Sequence, residues 1–155
     1  MILYLDASAL VKRYIVEPGT PEIASAIIKA EAVGTSLISR AETAAAMAKA
    51  VRAGTLNHEA ARSALQVFRS QWPRLVRIQA TEALIGRADE VAWEFGLRGY
   101  DAVHLASALL WRDGLGREVT MATFDQQLWV AASKSNLTPF PGDLSTMIAI
   151  WRRRL

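Results

Sequence analysis

Residues 1–14, MILYLDASALVKRY, decide the fold. Ile2, Leu3, Tyr4 and Leu5 form an unbroken apolar run of strand length, the pattern of a strand covered on both faces in a parallel sheet. The run stops on Asp6, whose charge cannot follow those residues into a core. Ala7 to Val16 reads as helix, so the chain passes from strand to helix with a carboxylate at the junction. In an open α/β sheet that junction lies beyond the carboxyl end of the strand, where ligands gather.

The pattern recurs downstream. Gly34 to Ile38, Leu75 to Ile78 and Val119 to Ala122 are short, apolar and rich in β-favouring residues, and helical patterns separate them. Pro18-Gly19 turns the chain towards a helix capped by Thr20, with Pro21 at its first position. Ser39 to Ala53 is Ala-rich helix stopped by Gly54, and Asn57 caps the next. Ala61, Ala64, Leu65, Phe68 and Trp72 recur at helical spacing, as do Leu84, Ala88, Val91, Ala92 and Phe95. Asp101 to Trp111 reads as a helix buried on most sides, and Gln126 to Ser133 begins another. Trp72, Trp93, Trp111 and Trp129 fall in these apolar patterns as packing residues. Strands alternating with helices imply an α/β fold with a central, mainly parallel sheet flanked by helices. Pro139 to Gly142 marks a turn before the tail LSTMIAIWRRRL, read as a short strand-to-helix extension.

With 155 residues, 52% of them hydrophobic and 21% charged, the chain can bury a core as one domain. The absence of cysteine rules out disulfides, thiolate metal sites and cysteine nucleophiles. His58 and His104 are the only imidazoles, so a bound metal would sit among oxygens, as Mg²⁺ or Mn²⁺ does. The N-terminus lacks the basic lead and long apolar stretch of a signal peptide, and no run reaches membrane-span length, so the chain reads as cytoplasmic. A formal charge of +3 and a sequence pI near 9.6 mean that gathering several acids in one place leaves the remaining surface basic, which favours a polyanionic partner.

Four acids are placed for chemistry. Asp6 follows the first strand, Glu42 follows the strand TSLI by one helical turn, Asp125 follows VTMA across Thr123-Phe124, and Asp101 opens the buried helix in LRGYDAVHLASAL. Each also has a structural reading. Asp6, Asp101 and Asp125 can cap helices, and Ser39-Arg40-Ala41-Glu42 spells a capping box in which Glu42 bonds back to the Ser39 amide. Capping, however, predicts no convergence of four distant segments at one sheet edge. Crowded carboxylates raise one another's pKa, and a divalent cation relieves that conflict. Such a site suits phosphodiester hydrolysis by a metal-activated water, needing no nucleophilic side chain. Ser8 and Thr123, two residues from Asp6 and Asp125, can orient a carboxylate or cap a helix. His104 lies one turn after Asp101, either approaching the site or bonded within the core. Lys12, Arg13, Arg40 and Arg98 flank the acids as phosphate contacts or as solvated surface charge. Trp151, beside Arg152 to Arg154, is a candidate for base stacking.

MILYLDASALVKRY, SRAE, YDAVHLASAL and MATFD, in this order and at these separations, resemble the PIN-domain ribonucleases, and among them the VapC toxins of toxin–antitoxin pairs. The resemblance covers about residues 1–142, leaving 143–155 as a C-terminal extension packed on or projecting from the same domain. It implies a three-layer α/β/α PIN fold, Mg²⁺ or Mn²⁺ as cofactor, an RNA substrate, a VapB-type antitoxin and a homodimer. Position by position it makes Asp6, Glu42, Asp101 and Asp125 the catalytic, metal-binding acids. Three other readings stay open: a nuclease of housekeeping RNA processing, a non-catalytic RNA-binding module, and a phosphatase using Asp6 as nucleophile. The last usually wants a second Asp two residues on, where this chain has Ser8.

Overall fold

A computed structural model describes residues 1–154. Among them run β1 (Ile2–Leu5), α1 (Ala7–Leu10), α2 (Thr20–Lys29), β2 (Ala32–Ser36), α3 (Ser39–Arg52), α4 (His58–Gln71), β3 (Val76–Ile78), α5 (Glu82–Phe95), α6 (Gly99–Leu115), β4 (Val119–Ala122), α7 (Gln126–Lys134), β5 (Thr138–Phe140) and α8 (Leu144–Arg153). The strands form one all-parallel sheet in the order β3-β2-β1-β4-β5. β1 is central, which accounts for its apolar character on both faces.

The alternation of side chains along β1 separates two cores. Ile2 and Tyr4 join Val119 and Met121 of β4 against α5, α6 and α7, whereas Leu3 and Leu5 join Ala9, Leu10, Ile23, Phe68 and Trp72 on the opposite face. Helices on both faces of the sheet give the three-layer α/β/α arrangement expected from the sequence. No helix among the described residues is long and apolar enough to cross a membrane.

Several boundaries differ from the sequence reading. The second strand is Ala32–Ser36, because its parallel pairing with β1 begins at Ile2↔Ala32 and Leu37-Ile38 turn into α3 instead. The helix expected over Ala7 to Val16 is one α-turn followed by a 3-10 turn, Val11–Arg13. Gly19, at φ +96°, occupies the position before α2 that Thr20 was expected to fill, and the Thr20 hydroxyl accepts the Glu17 amide and donates to the Ile15 carbonyl. β5 lies where a turn was expected; Pro139 is tolerated there because β5 is an edge strand that pairs only with β4. Trp93 is 92% exposed and is not a packing residue. α8 contacts α7, buries Leu144 and sets the Trp151 ring 5.8 Å from that of Phe124. Leu155, the end of the tail, lies outside the described residues.

Gly34 carries a specific packing demand. A Cβ there would stand 2.6 Å from the Trp111 ring, which packs against the α5–α6–α7 core. Gly34→Ala is expected to destabilise the fold by about 1–3 kcal/mol, measurable as a lower urea midpoint.

Candidate active site

β1 and β4 are neighbours in register Leu5↔Ala122, so the residues that follow, Asp6 and Thr123, emerge side by side at the carboxyl edge of the sheet. Asp6 continues the strand in extended conformation, and its amide donates to the Ala122 carbonyl. Its carboxylate is buried and held by three hydrogen bonds. Oδ1 accepts from the Ala9 amide at 2.8 Å and from the Ser8 hydroxyl at 2.7 Å, and Oδ2 accepts from the Thr123 hydroxyl at 2.6 Å. Ser8 Oγ in turn accepts the Phe124 amide, and Thr123 Oγ1 accepts the Asp125 amide. Capping and orienting are thus one arrangement: Asp6 caps α1, while the two hydroxyls tie it to the β4–α7 junction.

No cation pairs with Asp6 among the described residues, and burial pushes its pKa up, against the hydrogen bonds and the His104 field that lower it. Asp125 caps α7 through Oδ1, bonded to the Leu128 amide at 2.9 Å, and turns Oδ2 to Arg98 Nη2 at 3.0 Å. Asp101, the third residue of α6, accepts from Arg98 Nε through Oδ2, also at 3.0 Å. One guanidinium therefore spans two acids from separate elements, and these bonds, that to Asp101 first, raise its pKa.

Glu42 does not close a capping box. Ile38 occupies the cap position, the Ser39 hydroxyl is bonded to Thr35 Oγ1 at 2.6 Å, and Glu42 Oε1 instead meets His104 Nε2 at 2.7 Å. His104 Nδ1 lies 2.8 Å from the buried Tyr4 hydroxyl. Both readings of His104 hold, since it is a hydrogen-bonded core residue whose other nitrogen holds a site acid. Tyr4 went unrecognised from sequence, although two residues before Asp6 its side chain faces the same layer as α6.

Hydrogen bonds thus link three of the acids, Asp6 to Asp125 through Thr123 and Asp125 to Asp101 through Arg98, while Glu42 is bonded to His104 of the helix that carries Asp101. They do not form a ready-made cage. Among the described residues, no three His, Asp or Glu side chains stand close enough to hold an ion. Each carboxylate takes donors from the protein instead, and one guanidinium, that of Arg98, bonds both Asp101 and Asp125. The donor set nonetheless fits a hard divalent cation, being carboxylate oxygen throughout and including a buried acid whose charge has no counter-ion.

Among the basic candidates, Lys12 is engaged elsewhere, its Nζ 2.7 Å from Glu17 Oε2 and 4.6 Å from the centre of the Phe124 ring. Arg13 and Arg40 are exposed, their guanidiniums 5.9 Å from the rings of Tyr14 and Trp72 respectively. The hydroxyl on Asp6 invites a direct test. Thr123→Val removes this buried bond and is expected to destabilise the fold by about 1–3 kcal/mol, read as a lower urea midpoint, with Thr123→Ser close to wild type.

The fold and this edge of acids define a class. The PIN-domain profile matches residues 3–132, and the chain belongs to the PIN-domain family. It is 32% identical over 145 residues to Ribonuclease VapC45 and to Ribonuclease VapC49 of Mycobacterium tuberculosis, covering 92% of this chain and 97% of each relative. Among solved structures it resembles FitAcB from Neisseria gonorrhoeae, at TM-score 0.62 and 16% identity over 91% of this chain and 98% of that one. It also resembles a toxin–antitoxin complex from Klebsiella pneumoniae, at TM-score 0.59 and 19% identity over 92% and 94% of the two chains.

Proposed function

We propose that this protein is a Mg²⁺- or Mn²⁺-dependent endoribonuclease, the cytoplasmic toxin of a VapBC-type pair. The observation that carries the reading is the buried Asp6 carboxylate at the end of the central strand, oriented by Ser8, Ala9 and Thr123 and tied through Thr123 to Asp125. Ribonuclease relatives over almost the whole chain support the activity. Toxin–antitoxin structures of the same fold support the pairing with a VapB-type antitoxin.

Asp6, Asp101 and Asp125 would hold the metal, with Glu42 at its border. When bound, it supplies a water of lowered pKa and neutralises charge developing on the phosphate. The chain's own residues do the positioning. Asp6 presents a fixed carboxylate, because Ser8 and Thr123 occupy its rotational freedom. Glu42, oriented by its bond to His104, would accept a proton from a water there. Arg13 and Arg40 are left exposed for backbone phosphates, which adds a salt-dependent component to RNA binding. Trp93 and Tyr100, 92% and 68% exposed on the α5–α6 hairpin, support the homodimer reading.

The experiment is RNA cleavage by wild type and Asp101→Asn with Mn²⁺, with Mg²⁺ and after chelation. Cleavage should require both the metal and Asp101. Metal-independent RNA binding that survives loss of the acids would favour a non-catalytic module. Growth arrest on expression, relieved by the partner antitoxin, separates a toxin from a housekeeping nuclease.

A further inference from the structure

Arg98 stands immediately before α6 in extended conformation, and its guanidinium forks between Asp101 Oδ2 and Asp125 Oδ2, at 3.0 Å from each. Among the described residues these two acids are the guanidinium's only hydrogen-bond partners. The exposures are unequal: the Arg98 side chain is 75% exposed, those of Asp101 and Asp125 only 17% and 26%. The carboxylates are set in the fold, while the arginine reaches over them from the solvent side. An exposed ion pair of this kind is weakly held and releases easily.

A divalent cation ligated by Asp101 and Asp125 would place two positive charges beside the guanidinium and compete with it for the same two carboxylates. Like-charge repulsion sets the two cations against each other. Resting on the metal-dependent reading above, we infer that Arg98 is a displaceable internal counter-ion, which holds Asp101 and Asp125 together in the metal-free protein and must leave before the metal binds. The protein folds with its acids already paired across the α6–α7 gap. The cost is a lower apparent metal affinity, reduced by the fraction of molecules in which the fork is closed.

Calorimetric titration of the intact protein with Mn²⁺ alone, without RNA, tests this. Arg98→Ala should bind Mn²⁺ about tenfold more tightly than wild type, as expected if the fork is closed in about nine molecules of ten. Arg98→Lys, which keeps the charge but loses the fork, should fall between them. In wild type, the Arg98 Nε–H resonance should show slowed exchange without metal and lose that protection as Mg²⁺ is added. Equal or weaker Mn²⁺ binding by a folded Arg98→Ala protein would overturn the role of Arg98 and leave the metal-dependent reading standing, as would a protected Nε–H at saturating Mg²⁺. Failure of every form to bind Mn²⁺ would overturn both.

Discussion

Asp6→Asn is expected to abolish RNA cleavage, by about a thousandfold, and yet to raise the thermal midpoint of the metal-free protein at neutral pH. The first effect follows from removing a preorganised charge at the reacting centre, a loss of this order where a single such group is deleted. The second follows from burial. Desolvation raises the pKa of Asp6 in the folded protein above its value in the unfolded chain, although its hydrogen bonds and the His104 field oppose the shift. A group raised in this way contributes stability that is complete below the unfolded pKa and is lost as pH rises through the folded one. At neutral pH, well above the unfolded pKa, burying Asp6 therefore costs the wild type stability that asparagine does not lose. Asparagine keeps the cap on the Ala9 amide, being as good an N-cap as aspartate. Thermal unfolding in chelator should show the variant ahead at pH 8 and the advantage shrinking as pH falls below the folded pKa. A lower midpoint at every pH, or retained cleavage, would contradict this account.

His104→Ala should be costly in both stability and activity. His104 and Tyr4 are buried partners, their rings edge to face with centroids 5.9 Å apart, and the imidazole fills space in the larger core. Its loss leaves a cavity and deprives the buried Tyr4 hydroxyl of its Nδ1 partner, together about 3 kcal/mol. For a domain of this size that is a fall in midpoint of roughly 6–12 °C. Glu42 loses the partner that orients it, so cleavage by the folded fraction should drop about 10–100-fold. His104→Gln retains polar groups near Tyr4 and Glu42 and should recover part of both losses. Calorimetry and single-turnover cleavage, run on the same samples below the midpoint, separate the effects. A wild-type midpoint for His104→Ala would remove the buried chain from the account.

The outer architecture was legible because β1 and β4 are runs that only a buried parallel strand explains, and their limits were read correctly at both ends. β2 was displaced because Gly34-Thr35-Ser36-Leu37-Ile38 is apolar enough to extend in isolation, whereas its start is set by pairing with β1. β5 was hidden by Pro139, which reads as a breaker unless the strand is known to lie at an edge. The four acids were singled out by their positions after strands and at a helix start; their hydrogen-bond partners were not legible. The Thr123–Asp6 bond joins residues 117 apart, and the capping box weighed as the alternative reading of Glu42 rested on local spacing, whereas its actual partner, His104, lay 62 residues away. Arg98 had a local signal in its i,i+3 spacing to Asp101. Its second bond, to Asp125, depends on how α6 packs beside the β4–α7 junction.

On the proposed function, Asp6, Asp101 and Asp125 would together hold a divalent cation at the carboxyl edge of the sheet, with Glu42 beside them. Anomalous diffraction from crystals soaked in Mn²⁺ tests it most directly. The account predicts a manganese peak roughly 2–2.3 Å from carboxylate oxygens of Asp6 and at least one of Asp101 and Asp125, with Arg98 moved off them. A peak elsewhere on the protein, or none at saturating Mn²⁺ with the Arg98 fork intact, would contradict it.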